Sequence, residues 1–194
     1  MGKIRNARSE IRLFLGYAMV VFSPGGKVPS HPQQPWEIGG MVEWSKEEYE
    51  FLIGEARREI DRQQTEKRDA RNRAQIVLTT TMVLGAGIVA NWHNQAKAGW
   101  LPHALSVLGF FLNALAGLAA AGLITGRSDI GGPDLPGLTK CGAGQVLPDA
   151  SGMYADSLFT GAATVSVMVT VLRDSVLVLL LSFAAFAAAF FTSL

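Results

Sequence analysis

The chain has a single cysteine, Cys141. One thiol can build neither an intramolecular disulfide nor a thiolate metal cluster. Cys141 therefore reads as an ordinary loop residue, compatible with a reducing compartment or a plasma membrane. His31, His93 and His103 are too scattered to form a local metal motif. His93 and His103 flank the same short segment and read as interface histidines. No Ser nucleophile elbow, Walker loop or Cys-x-x-Cys is present. The run from Gly85 to Ala90 spells G-x-G-x-x-A, but it lies inside an apolar stretch with no strand before it. Dinucleotide binding requires that strand, so the match is fortuitous. Paired carboxylates occur only in a charge-dense segment, where solvated pairing accounts for them. These absences point to no catalytic residue, no cofactor and no metal: a protein that is not an enzyme. The net charge of +1 also argues against a nucleic-acid partner, which needs a basic surface.

Cations are scarce after residue 74. Of 17 Lys and Arg, 13 precede Ile76; only Lys97, Arg127, Lys140 and Arg173 follow. Three long apolar stretches occupy this cation-poor part. The fold class expected is an all-α integral membrane protein. A cytoplasmic N-terminal helical region, 1–73, continues into a transmembrane domain, 74–194, built as a bundle of three helices, or four. Short loops rich in Lys and Arg stay in the cytoplasm. This places the N-terminus inside and the protein in the inner (plasma) membrane, with the lipid bilayer as its first partner.

The first span covers about 75–92, the short end for a ~30 Å hydrocarbon core. Thr79, Thr80 and Thr81 are tolerable there because their hydroxyls can bond back to carbonyls of the preceding turn. The second span covers about 101–125, long enough to cross with tilt. The loop expected between them, 91–100, is bracketed by Trp92 and Trp100, as suits indole rings at headgroup level. The third span covers about 175–193. Residues 157–172 are also apolar, but Arg173-Asp174 separates the two runs. A charge pair in the middle of one lipid-facing helix is expensive, so Arg173 is expected at the cytoplasmic interface. Residues 157–172 are then an interfacial or bundle-buried helix, or an additional span returning through a tight turn.

Gly109, Asn113, Gly117 and Ala121 recur every four residues in the second span, so they share one helix face. Small residues allow close helix approach, and Asn113 can hydrogen-bond across the contact. The stripe reads as packing within one protomer, or as the seam of a homo-oligomer or a pore lining.

In the N-terminal region, Ser45 and Glu48 form a capping box. No Gly or Pro interrupts the chain between Glu55 and Gly85. One helix from about Lys46 to about Trp92 is expected, roughly 70 Å long. It is a stalk with mixed charges, including the pairs Arg57/Asp61 and Arg62/Glu66, and a narrow apolar face of Phe51, Leu52, Ile53, Ala56 and Ile60. Arg57, Arg58, Arg62, Lys67, Arg68, Arg71 and Arg73 form the topogenic cluster, within reach of anionic headgroups. Residues 1–22 have a basic start and a ten-residue apolar middle. That outline is shared with signal peptides, and the apolar run is too short to span. A short amphipathic or buried helix, one that can lie on the membrane, is expected. A Gly/Pro-broken connector, 23–41, carries Trp36, and Trp44 follows it. A Gly/Pro-rich loop, 129–144, lies between the second and third apolar stretches.

The charged helix ends in Asp69-Ala-Arg-Asn-Arg-Ala-Gln75 and runs into Ile76-Val-Leu-Thr-Thr80. A tryptophan-flanked turn and a second span follow. Over residues 45–125 this resembles the small membrane effectors of bacterial antiphage defence, the SLATT-type and Pycsar-type transmembrane effectors. The resemblance implies a homo-oligomer that perturbs or permeabilises the inner membrane when triggered. The trigger it implies is a nucleotide second messenger or a companion protein. The chain departs from that pattern in its third apolar region and in having no recognisable nucleotide-binding domain. The competing expectation is a non-catalytic accessory or structural subunit of a larger membrane complex.

Overall fold

The computed structural model describes residues 2–22, 44–126 and 145–193. Among them the chain is all-helical, without a strand: α1 (Gly2–Val20), α2 (Lys46–Ala98), α3 (Trp100–Thr125) and α4 (Val146–Ser193). Helices α2, α3 and α4 are each long and apolar enough to cross a membrane. His31, Cys141, the connector with Trp36 and the Gly/Pro-rich loop 129–144 lie outside the described residues.

The start of α2 is set by the expected reciprocal cap. Ser45 N–H donates to Glu48 Oε2 at 2.7 Å, and Glu48 N–H donates to Ser45 Oγ at 3.3 Å. The helix then runs for 53 residues through the charged-to-apolar junction. Thr79 and Thr80 donate to the carbonyls of Gln75 and Ile76, both at 2.9 Å, so their hydroxyls need no outside partner. The loop expected at 91–100 is shorter than the sequence suggested. α2 continues to Ala98, and Gly99 alone separates it from α3. Gly99 sits at φ 134°, a conformation that a Cβ disfavours, so one glycine reverses the chain.

α4 departs most from expectation. Arg173-Asp174 does not interrupt it, and residues 157–172 are continuous with 175–193 in one 48-residue helix. An additional span returning through a tight turn is not formed. The charges are accommodated sideways instead. Arg173 Nε and Nη2 donate to Asp174 Oδ1 at 3.2 and 3.1 Å, and Nη2 lies 3.5 Å from Glu10 Oε2. With Arg173 neutralised on the helix surface, the backbone has no reason to turn.

The chain divides into two compact units. One contains Met1–Pro29, Asp69–Arg127 and Met168–Leu194; the other contains Ser30–Arg68 and Ser128–Val167. In the second unit, Ala56, Ile60 and Tyr154 are buried together, with Ile53 and Leu158 packed against them. Gln63 Nε2 donates to the Leu158 carbonyl at 3.1 Å, and Arg57 Nε donates to Tyr154 Oη at 2.8 Å. Position 57 meets 154 and position 63 meets 158, so these stretches of α2 and α4 run parallel.

In the first unit, α2 and α3 form an antiparallel hairpin, tied at Arg71–Gly126, Thr81–Asn113 and Gln95–Ser106. α1 packs on α3 with Leu13, Phe14, Tyr17 and Ala18 buried. Their spacing of one, three and one residues makes a single helix stripe.

Candidate functional site

The polar groups inside the first unit form three levels along the α2–α3 hairpin. At the turn end, Gln95 and Ser106 are fully buried and hydrogen-bonded to each other. Ser106 Oγ also lies 2.9 Å from the Pro102 carbonyl. Trp92 stands edge-on to His103, with ring centroids 5.0 Å apart, and edge-on to Phe110 at 6.4 Å. Trp100 is exposed. Of the two tryptophans that bracket this end, one is packed and the other is exposed.

The middle level is the small-residue stripe. Asn113 is buried, and its Nδ2 donates to the Thr81 carbonyl at 2.8 Å. Thr81 Oγ1 donates to the Leu78 carbonyl at 2.7 Å. Both flanking glycines are needed for this approach. A Cβ on Gly85 would stand 3.0 Å from Asn113 Nδ2, and one on Gly117 would stand 3.0 Å from Thr81 Oγ1. Gly109 faces α4 instead: Ser182 Oγ donates to its carbonyl at 2.7 Å. A Cβ there would stand 3.2 Å from the Ser182 carbonyl oxygen. Ala121 is half-buried, and its carbonyl accepts the Thr125 hydroxyl at 2.9 Å. Gly109, Asn113 and Gly117, read as packing, an oligomer seam or a pore lining, are therefore engaged by the chain's own α2 and α4. Asn113 Oδ1 is buried without a hydrogen-bond partner. In an apolar bundle that group carries an uncompensated desolvation cost.

The third level is at the opposite end of the hairpin. Arg71 Nη2 donates to the Gly126 carbonyl at 2.8 Å, where α3 ends. A guanidinium there satisfies a terminal carbonyl and opposes the negative end of the helix dipole. Tyr17 is buried nearby. Burial pushes its hydroxyl above the ordinary tyrosine range, and the Arg71 charge acts weakly against that. The Tyr17 carbonyl lies against Gly122, where any Cβ would collide with it.

The other basic residues occupy the exposed course of α2. Arg58 pairs with Glu55 at 2.6 Å, and Arg62 pairs with Glu59 at 2.9 Å and Glu66 at 3.5 Å. Arg57 turns to Tyr154, its guanidinium carbon 5.5 Å above the ring centre. Lys67 is half-buried; Arg68 and Arg73 are exposed. These cations are distributed along the helix rather than gathered into one pocket. A shallow groove of about 430 Å³ lies among Leu52, Glu55, Ala56, Arg58, Arg62 and Leu158. Its cations are already ion-paired.

Sequence reasoning found Asn113 and its stripe but not their partners. The signal was present: Thr81 and Gly85 are spaced four apart, as are Asn113 and Gly117, and the two pairs face each other. Ser182, Gln95 and Tyr154 left no such trace, since each is an isolated polar or aromatic residue within an apolar or mixed run. Among the described residues, no group of three or more His, Cys, Asp or Glu is placed to hold a metal ion. Compared with protein-family models, with curated proteins and with solved structures, the chain matches none.

Proposed function

We propose that this chain is an oligomeric effector of the bacterial inner membrane that permeabilises it when triggered, in antiphage defence. In this reading α2, α3 and α4 span the bilayer. The capped start of α2 is cytoplasmic, and the Gly99 turn lies outside. The observation that carries the reading is the construction of α2 and α4. α2 runs unbroken from a charged segment, and α4 from a segment bearing Asp149 and Asp156, into an apolar window of spanning length. A continuous helix transmits rotation or displacement along its length, so an event on the polar segments reaches the spans. A ligand that binds one arrangement of those segments better shifts the population of closed and open bundles. The trigger would be a nucleotide second messenger or a companion protein.

A second feature supports self-assembly. Only 22% of the apolar window of α2, and 17% of that of α4, is buried within the chain. The remaining surface is available to lipid and to further copies. Because Asn113 is engaged by Thr81, a path between copies would use outward positions such as the exposed Thr79 and Thr80.

The test is ion flux from liposomes holding the purified chain, with cyclic nucleotides added, and dye-reported membrane potential in expressing cells. Flux, depolarisation and a mass of several copies in mild detergent are expected. A monomer that leaves liposomes tight and cells polarised under all these conditions replaces this reading with that of an accessory subunit.

A further inference from the structure

Helix α1 has two apolar sides, and only one of them is used by the protein. Leu13, Phe14, Tyr17 and Ala18 are buried against the rest of their unit. A neighbouring side carries Ile11, Leu15 and Met19, which are 59%, 46% and 66% exposed, and Phe22, 70% exposed, follows in the turn after the helix. Steps of four residues put Ile11, Leu15 and Met19 on one helix stripe.

We propose that this stripe is a docking surface for a lipid bilayer with anionic headgroups, so that α1 lies in the interface beside the spans. The inference rests on the membrane reading above and adds a lipid class and a second attachment to it. Charge selects the occupant. Arg12 is exposed next to Ile11, and the sequence before it adds Lys3, Arg5 and Arg8. Glu10, the one acidic residue of α1, lies away from that stripe and pairs with Arg173 at 3.5 Å. The outward side is therefore apolar with a cationic flank, the composition that binds an interface by buried area and by attraction to anionic lipid together. Water as the neighbour would leave four large apolar side chains hydrated.

Position agrees with charge. Tyr17 packs on Gly122, near the C-terminal end of α3. The end of a span is where acyl chains give way to headgroups. Leu15 and Met19, which flank Tyr17 in the helix, are thus near that boundary.

The experiment uses the full chain with Cys141→Ser, reconstituted in vesicles. A polarity-sensitive fluorophore is placed at Met19→Cys or, as a control, at Phe111→Cys on the exposed side of α3. Brominated lipids report contact with acyl chains. Vesicles of phosphatidylcholine alone are compared with vesicles containing phosphatidylglycerol. The expected result is quenching at both positions. At position 19 it should be at least about twofold stronger with the anionic lipid, a dependence lost on changing Arg5, Arg8 and Arg12 to Gln. Quenching at 111 without quenching at 19 overturns the proposal, as does quenching at 19 that is indifferent to lipid charge. Efficient disulfide formation between two copies at position 19 also overturns it, in favour of a protein contact. Absence of quenching at 111 refutes the membrane reading itself.

Discussion

Asn113 donates its side-chain amide to the Thr81 carbonyl, and this bond fastens α3 to α2 between two glycines, Gly85 and Gly117. The bond and the glycines depend on each other. Without the close approach Asn113 cannot reach the backbone, and without Asn113 little polar matter holds the helices at that level.

Gly117→Leu should therefore loosen the hairpin within one chain, whatever it does to assembly. A leucine side chain would drive into Thr81, and overpacking of this kind costs about 1–3 kcal/mol. Asn113→Ala should cost less, about 0.6–1.7 kcal/mol, the range for interhelical hydrogen bonds in membranes. Unfolding in mixed micelles under rising denaturing detergent measures both. A Gly117→Leu chain with unchanged unfolding but lost oligomers would return the stripe to an intersubunit role.

At Gly99 the prediction concerns the backbone. With φ at 134°, Gly99→Ala places a Cβ in a region L-residues rarely adopt, at roughly 1–3 kcal/mol. The turn would have to lengthen, and the Gln95–Ser106 contact next to it would weaken. Faster amide exchange at 92–106 in the variant is the expected readout. Exchange identical to wild type would show that the turn tolerates the side chain.

The Glu10–Arg173 pair joins α1 to α4 at 3.5 Å, with both side chains substantially exposed. Exposure limits its worth to about 0.2–1 kcal/mol. A double-mutant cycle with Glu10→Gln and Arg173→Gln should give a coupling in that range, decreasing with added salt. A larger, salt-independent coupling would mean that the pair is shielded by lipid or by another copy.

Much of the architecture was legible because it depends on local chemistry. Ser45 and Glu48 announce the start of α2, and the uninterrupted run after Glu55 announces its continuity into the first apolar stretch. The stripe at Gly109, Asn113 and Gly117 was visible through spacing alone. What escaped depends on partners far away in the chain. Arg173-Asp174 reads locally as a break; it is none, because Asp174 is adjacent and Glu10 comes from another helix. The parallel pairing of α2 and α4 rests on Tyr154 and Leu158, whose contacts lie more than ninety residues away in sequence. The extent of α2 was underestimated because Asn91, Trp92 and His93 resemble loop residues. Asn91 instead donates to the Gly87 carbonyl at 3.0 Å and stays within the helix.

The orientation of the hairpin provides the last prediction. Of 17 Lys and Arg, 13 precede Ile76, whereas the segment around Gly99 has Lys97 alone. Cationic residues beside a span resist translocation, so the Gly99 turn should lie outside and the charged course of α2 inside. Asn94 and Arg68 are both exposed on α2, on opposite sides of its apolar window. Each can be changed to Cys in a Cys141→Ser background without touching the Thr81–Asn113 contact. A membrane-impermeant maleimide should label position 94 in intact spheroplasts, and position 68 only after permeabilisation. The reverse pattern would invert the topology and place the polar segments outside, out of reach of any intracellular trigger. The effector reading would then fail even if the oligomer conducts ions.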